Sequence, residues 1–359
     1  MIIDMKNNGN LFAMVSDESR IFFKELQQGI PLSYFIPKTK HNFFFYKNGL
    51  SHIIPRLKVK AHIDINECYE IWENFTQKKS VFDEWEFRYA WYKGFENEPF
   101  FYTLYEGKNI VGSVPLWYNK SKNIYEWFGS DWMEDNKFFF KDHEYIDLLF
   151  KILPSPIYLG SFEYQTQWKN KNIFSEIIPD DPKNIKKLTE YSSIDDLLRS
   201  FNKKRRYNFK YDVKKIEKQK PRITIVKGYN EECMRMLFKL NIQRFKSDEN
   251  HKSIFEDERM KKTFELLVKK AKTYEAKFIK VDIGRKTAAI DLILEYKNIY
   301  CTPIGANNIA EFNGIGVFMM YKEFEDAIKN KFEFIDTLQE DYGWKHRYLD
   351  KSPLFKWQK

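Results

Sequence analysis

Apolar and polar positions alternate along the chain in a pattern that predicts the same series of elements twice. Strands carry apolar residues at every second position and helices at every third or fourth, so the period distinguishes the two. The segments of the first half are 57–63, 68–75, 84–93, 100–105, 110–118, 124–128, 144–153 and 157–159. Those of the second half are 222–226, 231–245, 256–270, 278–283, 288–294, 299–304, 317–329 and 332–336. The shared order, β-α-α-β-β-β-α-β, predicts an α+β chain with two similar domains in tandem.

Turn signals and shifts in composition divide the chain into four expected parts. Residues 1–57 alternate short apolar runs with turn signals, which indicates an irregular, β-rich lead-in. Two domains are expected at 58–190 and 223–359, connected by a basic helix at 191–222. A chain of 359 residues is long enough to form two hydrophobic cores.

The composition is that of a folded protein, with no signal for a membrane span or a metal. Hydrophobic residues make up 43% of the chain and charged residues 31%, which is typical of globular proteins. No leader pattern begins the sequence and no run approaches the roughly 20 apolar residues of a membrane span, so we expect a cytoplasmic protein. Cys68, Cys233 and Cys301 are far apart and the six histidines are scattered, which predicts neither disulfides nor a metal site.

Positive charge is concentrated in one segment of the chain. The formal net charge is +9, and residues 203–222 contain ten Lys or Arg against two acids. Such a stripe can bind the phosphates of a cofactor, of a carrier protein or of RNA. The alternative is a solvated helix face without a partner, and the sequence leaves both interpretations open.

A glycine-bearing turn precedes the predicted helix at 317–329. Gly314 and Gly316 allow close approach to backbone N–H groups that have no partner within the helix, which is a typical cradle for phosphate. Asn313 and Ile315 are the backbone neighbours of this cradle. The alternative is an ordinary turn before a helix.

The turn at 311–316, Glu-Phe-Asn-Gly-Ile-Gly, resembles the Gln/Arg-x-x-Gly-x-Gly/Ala pattern of the GNAT superfamily of N-acyltransferases, with Glu311 in place of Gln or Arg. A longer resemblance, over about 82–348, is to the FemAB-like branch, in which one chain contains two such folds. It depends on the segment 106–116, on Lys-Lys-Arg-Arg-Tyr at 203–207, and on Asp336 followed by Tyr-Gly-Trp-Lys-His-Arg at 342–347.

The resemblance implies two tandem GNAT-like domains, each a mixed, mostly antiparallel sheet flanked by helices. It implies transfer of an acyl group from acyl-CoA or an acyl-carrier thioester to a primary amine of an amino acid, amino sugar or peptide. The amine would attack directly and no metal is required. The implied donor-binding residues are Asn313, Gly314, Ile315, Gly316, Arg205, Arg206 and Arg347.

Four side chains near the end of the second repeat are candidates for the chemistry. Asp336 ends a strand and Glu340 and Asp341 follow it, where open α/β sheets have their sites, so these three are candidate proton acceptors. Lys345 is a candidate cation that neutralises an anionic donor or the acyl oxygen. A structural alternative exists for Asp336, which would then accept hydrogen bonds from the following turn and hold Lys345 in position.

The corresponding junction of the first repeat, 130–135, has no Gly-x-Gly and contains three acids, so we expect a single donor site. Its aromatic ring and carboxylates, from Trp132, Glu134 and Asp135, are candidates for binding a cationic amine acceptor. The alternative is a solvated acidic loop.

Two other functions remain open. An aminoacyl-tRNA donor would lie along the basic stripe at 203–222, as in FemAB-like enzymes proper. The helices within 231–270 have ordinary length and form no long coiled-coil arm, which favours the thioester donor. The other alternative is a non-catalytic binding module, which Glu311 keeps open. The expected partners are therefore a small-molecule or peptide amine and either an acyl-carrier protein or tRNA.

Overall fold

The computed structural model describes residues 24–35, 54–129, 132–163, 177–246, 251–341 and 343–359. These residues form two compact units. Unit 1 contains the described residues within 24–78, 96–180 and 354–359, and unit 2 those within 79–95 and 181–353. Most of the lead-in predicted at 1–57 lies outside the described residues, and the predicted domain bounds stay a prediction.

The helices in chain order are α1 (Ile65–Phe75), α2 (Trp85–Phe95), α3 (Ile146–Ile152), α4 (Ile194–Ser200), α5 (Lys203–Glu217), α6 (Glu231–Phe245), α7 (Glu258–Lys269) and α8 (Ile315–Lys329). The strands are β1 (Ile30–Pro31), β2 (Leu57–His62), β3 (Glu98–Glu106), β4 (Asn109–Asn119), β5 (Ile124–Trp127), β6 (Phe139–Phe140), β7 (Tyr158–Phe162), β8 (Ile178–Pro179), β9 (Lys183–Lys187), β10 (Arg222–Lys227), β11 (Glu275–Ile283), β12 (Lys286–Tyr296), β13 (Ile299–Asn307), β14 (Phe334–Asp336), β15 (Asp350–Ser352) and β16 (Phe355–Gln358).

Unit 1 contains two sheets around an aromatic core. Five strands pair in the order β1-β2-β3-β4-β5, all antiparallel, and β6 pairs with β4. A second sheet has the order β7-β16-β8. Leu116 of β4, Trp127 of β5 and Leu149 of α3 belong to one buried cluster, because the apolar faces of strand and helix turn toward each other.

Unit 2 is a seven-stranded sheet with helices on both faces. Its order is β10-β11-β12-β13-β14-β9-β15, and among the described strands β13 and β14 are the parallel pair. Residues of α4, α5 and α8 form the core on one face, where Phe209 and Phe318 are buried. On the other face α6 packs on β12 and β13, while α7 packs on α2.

The two parallel strands of unit 2 separate after a short paired stretch. Their register runs from Ile299 opposite Phe334 to Cys301 opposite Asp336. There β14 ends, whereas β13 continues to Asn307 and leads into α8. The last residues of β13, which lead to the predicted phosphate cradle, are therefore not paired with β14.

The predicted α+β class, with two tandem GNAT-like folds built on mostly antiparallel sheets, is confirmed. The helix predicted at 231–245 has those bounds in the structure, and the helix predicted at 317–329 begins two residues earlier, at Ile315. Strands β9, β15 and β16 were not predicted.

Candidate functional site

The glycine turn forms the beginning of α8. Gly314 is the residue before the helix and has φ 95°, a left-handed conformation that favours glycine. No side chain caps this helix end, and the first N–H groups of a helix have no partner within it. Gly314 and Gly316 are half-buried and Asn313 is exposed, whereas Ile315 is buried. The turn can thus present backbone N–H groups to an anion.

The acid that departs from the GNAT pattern is paired. The carboxylate of Glu311 lies 2.5 Å from Nζ of Lys286, and Nδ2 of Asn308 donates to it at 3.2 Å. The hydrogen bond from Lys286 holds the pKa of Glu311 below its usual range. The negative charge beside the cradle is therefore balanced by a neighbouring lysine.

A cleft of about 430 Å³ adjoins the start of α8. It joins one face of α5, the first turn of α8 and the 3-10 turn Lys345–Arg347 with the residues on either side of that turn. Its lining residues are Arg205, Tyr207, Asn208, Tyr211, Asp212, Val317, Trp344, Arg347 and Tyr348.

Arg205 and Arg347 supply positive charge to this cleft. Both side chains are exposed, and neither forms an ion pair within the described part of the chain. Arg206 differs, because its guanidinium donates to the carbonyl oxygen of Arg199 at 3.2 Å. Of the three predicted donor-binding arginines, two therefore line the cleft and the third is directed toward the end of α4.

Asp212 is the acid of the cleft. A Cβ on Gly314 would lie 3.4 Å from the Cβ of Asp212, so this side chain lies beside the glycine turn. Burial raises the pKa of Asp212, while the charge of Lys215 acts in the opposite direction. The carboxylate of Asp212 reduces the net positive charge of the cleft, and this weakens the attraction of the cleft for a phosphate.

The predicted catalytic groups lie around the end of β14. Asp336 is buried, its carboxylate is 2.8 Å from Nζ of the equally buried Lys183, and it accepts a hydrogen bond from the backbone N–H of Leu338. Lys345 donates through Nζ to the carbonyl oxygen of Thr337. The hydrogen bond from Leu338 is of the kind that the structural alternative for Asp336 expects. The lysine that pairs with Asp336 is Lys183, whereas that alternative named Lys345.

Glu340 is exposed and lines a second cleft of about 360 Å³. The other lining residues are Asp181, Pro182, Asn184, His251, Gln339, Asp341 and Lys351. Burial acts to raise the pKa of Asp341, but hydrogen bonds from His346 and from backbone N–H groups outweigh it and lower this pKa to about 2. With three carboxylates and one lysine, this second cleft is suited to a cationic group.

Sequence reasoning missed a buried carboxyl pair, Asp291 of β12 and Glu323 of α8, which are 7% and 5% exposed. Burial raises the pKa of Asp291 to about 6, against the effect of its hydrogen bond with Glu323. Burial and the charge of Asp291 raise the pKa of Glu323 well above its usual value. Asp291 also accepts a hydrogen bond from the N–H of Ala306 at 3.2 Å.

The pair requires a glycine on the neighbouring strand. A Cβ on Gly305 of β13 would lie 2.2 Å from Oδ1 of Asp291. The available signal in the sequence was polarity at core positions, since Asp291 lies within an apolar strand and Glu323 on the apolar face of a helix.

The candidate amine site of the first repeat lies in unit 1. Glu134 and Asp135 are buried, at 3% and 7% exposure, and Trp132 is half-buried. Asp135 has φ 53°, an uncommon conformation for a residue other than glycine. These two carboxylates do not form a solvated loop, and their role in binding an amine stays a prediction.

Two classes of site are absent from the described part of the chain. It contains no group of three or more His, Cys, Asp or Glu side chains that could hold a metal ion. None of its helices has the length and apolar character needed to cross a bilayer.

Known proteins share this architecture. Residues 203–346 match the family model of the GNAT acetyltransferase domain. FemX is similar over 83% of this chain and 96% of its own, with a TM-score of 0.52 and 11% sequence identity. A tandem GNAT protein from the clavulanic acid biosynthesis pathway is similar over 84% of this chain and 98% of its own, with a TM-score of 0.52 and 9% identity.

A conserved protein of unknown function from Bacteroides thetaiotaomicron VPI-5482 is similar over 84% of this chain and 100% of its own, with a TM-score of 0.51 and 10% identity. No curated protein matches the sequence. At these identities the solved structures show the fold, and the domain match gives the class of chemistry. Residues 203–346 are therefore a GNAT acetyltransferase domain, and the chain as a whole has the fold of FemX and of the tandem GNAT protein.

Proposed function

We propose that this chain is an N-acyltransferase that moves an acyl group from a CoA or acyl-carrier thioester to a primary amine. The observation that carries the proposal is the cleft that joins Arg205 and Arg347 to Val317 in the first turn of α8, where neither arginine has an ion pair within the described residues. Phosphate oxygens bind at such helix ends and to guanidinium groups. Asn313, Gly314 and Gly316 would hold the donor phosphate through the main chain, whereas the N–H of Ile315 donates to the carbonyl oxygen of Phe312 at 3.0 Å.

The chemical step needs one proton acceptor. The amine nitrogen forms a bond to the acyl carbon, the carbon–sulfur bond breaks, and the nitrogen loses its proton while the thiolate leaves. Glu340 is suited to accept this proton because it is exposed in the acidic second cleft. Asp336 and Lys345 hold the turn after β14 through Lys183 and Thr337, so they act as positioning residues.

Release of free thiol from acetyl-CoA and longer acyl-CoA esters tests the proposal, with a panel of amino acids, amino sugars and short peptides as acceptors. Replacing Arg205 and Arg347 together with Ala should raise the KM for the donor at least tenfold and leave the KM for the amine unchanged. The matched control is Arg235→Ala, an exposed arginine on α6. No thiol release with any donor and amine would refute the proposal.

A second candidate donor is aminoacyl-tRNA. It is favoured by α5, whose lysines at 203, 204, 210 and 214 are exposed and extend the positive charge beyond the cleft. Binding of an RNA donor should weaken steeply between 50 and 200 mM salt, whereas binding of CoA should change little. A salt titration of both ligands decides between them.

A further inference from the structure

Strand β10 lies at one end of the sheet of unit 2. It pairs with β11 along all six of its residues, and no strand among the described residues pairs with its other side. The strand at the opposite end, β15, has three residues, all of them polar. Of the strands at sheet ends in the described part of the chain, β10 is the longest. Its outer side presents backbone N–H and C=O groups of the kind that pair with another strand.

Two isoleucines make the edge at β10 apolar. Ile223 and Ile225 point to the same face of the sheet and are 40% and 49% exposed. They lie opposite Val281 and Ile279 of β11, which are buried in the core on that face. The isoleucines therefore extend an apolar row beyond the last covered strand.

The charges at the two ends of β10 are balanced within the chain. The guanidinium of Arg222 lies 3.0 Å from the carboxylate of Asp282, and Nζ of Lys227 lies 3.7 Å from that of Glu275. Edge strands are commonly protected from pairing by charged side chains. Here those charges already have partners, so they oppose the approach of a second strand less.

The alternation of side chains limits how β10 can pair with a second copy of itself. Opposite residues of an antiparallel pair lie on the same face. A two-fold axis at Thr224 places Ile223 of each copy opposite Ile225 of the other, and Arg222 opposite Val226. A two-fold axis at Ile225 would place Ile223 opposite the charged Lys227. The axis at Thr224 is favoured because it places both isoleucines opposite isoleucines.

The segments that flank β10 are complementary in charge in this arrangement. Lys218 and Lys220 precede the strand, Glu231 and Glu232 follow it, and all four side chains are exposed. Antiparallel pairing brings the beginning of the strand in one copy beside its end in the other. The lysines of each copy are thus directed toward the glutamates of the other, which favours a second copy as the occupant of this edge.

We propose that two copies of this chain associate through antiparallel pairing of β10 about a two-fold axis at Thr224. The sheet of unit 2 then continues from one copy into the other. Neither cleft has a lining residue from β10, so this surface is separate from the proposed function. Because the paired strands are short, the dimer is weak, with a dissociation constant on the order of 10 μM.

Sedimentation equilibrium of the full chain from about 1 to 200 μM tests the association. The wild type should change from monomer to dimer across this range. Ile223→Glu and Ile225→Lys should each raise the dissociation constant about tenfold, because each places a charge opposite an isoleucine at two positions of the dimer. The matched control is Ile178→Lys, which changes an exposed isoleucine of β8 in unit 1 and should dimerise as the wild type does.

The double variant Ile223→Glu/Ile225→Lys tests the register. With the axis at Thr224, each introduced glutamate lies opposite an introduced lysine of the other copy. The double variant should therefore dimerise more tightly than either single variant. Circular dichroism checks that every variant is folded.

A wild type that remains monomeric at about 200 μM would overturn the proposal. A dimer that both single variants leave intact would also overturn it, as would a double variant that dimerises no more tightly than the single ones. A monomeric wild type whose stability in urea falls on Ile225→Lys would overturn it too, and would indicate that another segment of the same chain covers β10.

Discussion

Replacing Glu323 with Gln should change how the stability of unit 2 depends on pH. In the folded chain, burial keeps Glu323 protonated far above its usual pKa, beside an Asp291 whose pKa is about 6. In the unfolded chain both carboxyls ionise normally. Unfolding at neutral pH therefore releases the proton of Glu323, and higher pH favours the unfolded state.

The sign and size follow from proton linkage. A carboxyl with a raised folded pKa stabilises the fold most below its unfolded pKa, and that contribution is lost as pH rises toward the folded pKa. The loss is about 1.4 kcal/mol per pH unit for each proton released. The rise of the pKa of Asp291 from 3.8 to about 6 corresponds to about 3 kcal/mol of lost stability. Glu323 extends the loss above pH 6.

The variant Glu323→Gln has no proton to release, and its amide can still donate a hydrogen bond to Asp291. Its unfolding free energy should depend much less on pH between 6 and 8 than that of the wild type, in which Glu323 releases its proton on unfolding. Urea unfolding at several pH values measures this difference. The control is Glu325→Gln on the same helix, whose carboxylate is partly exposed and paired with Lys322. Equal pH slopes for wild type and Glu323→Gln would refute the reasoning.

Three further predictions concern single contacts. Asp212→Asn should bind CoA several-fold more tightly in calorimetry, because it removes a negative charge that lies beside Gly314. Unchanged affinity would show that no phosphate binds there. Gly305→Ala should lower the unfolding free energy in urea by about 1–3 kcal/mol, because its Cβ would collide with Asp291. The double variant Gly305→Ala/Asp291→Ala should be almost as stable as the single variant Asp291→Ala, because the colliding side chain is then absent. Lys183→Met should cost about 3–5 kcal/mol because it leaves Asp336 buried without its cation, and a loss below 1 kcal/mol would contradict the buried pairing.

The regular elements were predictable where one side of each element is buried. Helix α6 has apolar residues such as Met234, Leu237 and Phe238 on one face, and this spacing is sufficient to define it. Strand β9 was missed because it contains a single apolar residue, Ile185, among polar ones. Its first lysine is buried only because it pairs with Asp336, and a local pattern cannot show pairing with a strand so distant in sequence.

The candidate site was predictable by residue type and much less by position. The resemblance marked Arg205, Arg206 and Arg347, but only the fold shows that the first and third share a cleft. Adjacent residues on a helix point about 100° apart, so Arg206 faces Arg199 instead. The Asp291–Glu323 pair was missed because Asp291 is a single acid in an apolar strand and Glu323 lies among other charged residues of α8, so neither segment indicates the other.

The interleaving of the two units along the chain limits how this protein can be divided. Helix α2 belongs to unit 2, where Trp91 packs on Phe264 of α7 with ring centroids 6.2 Å apart, although unit 1 surrounds it in sequence. Strand β16 returns to unit 1 and is the middle strand of its smaller sheet. Division of the chain near residue 190 would separate α2 from the rest of unit 2 and β16 from the rest of unit 1. During synthesis, unit 1 cannot complete that sheet until residues 355–358 have left the ribosome.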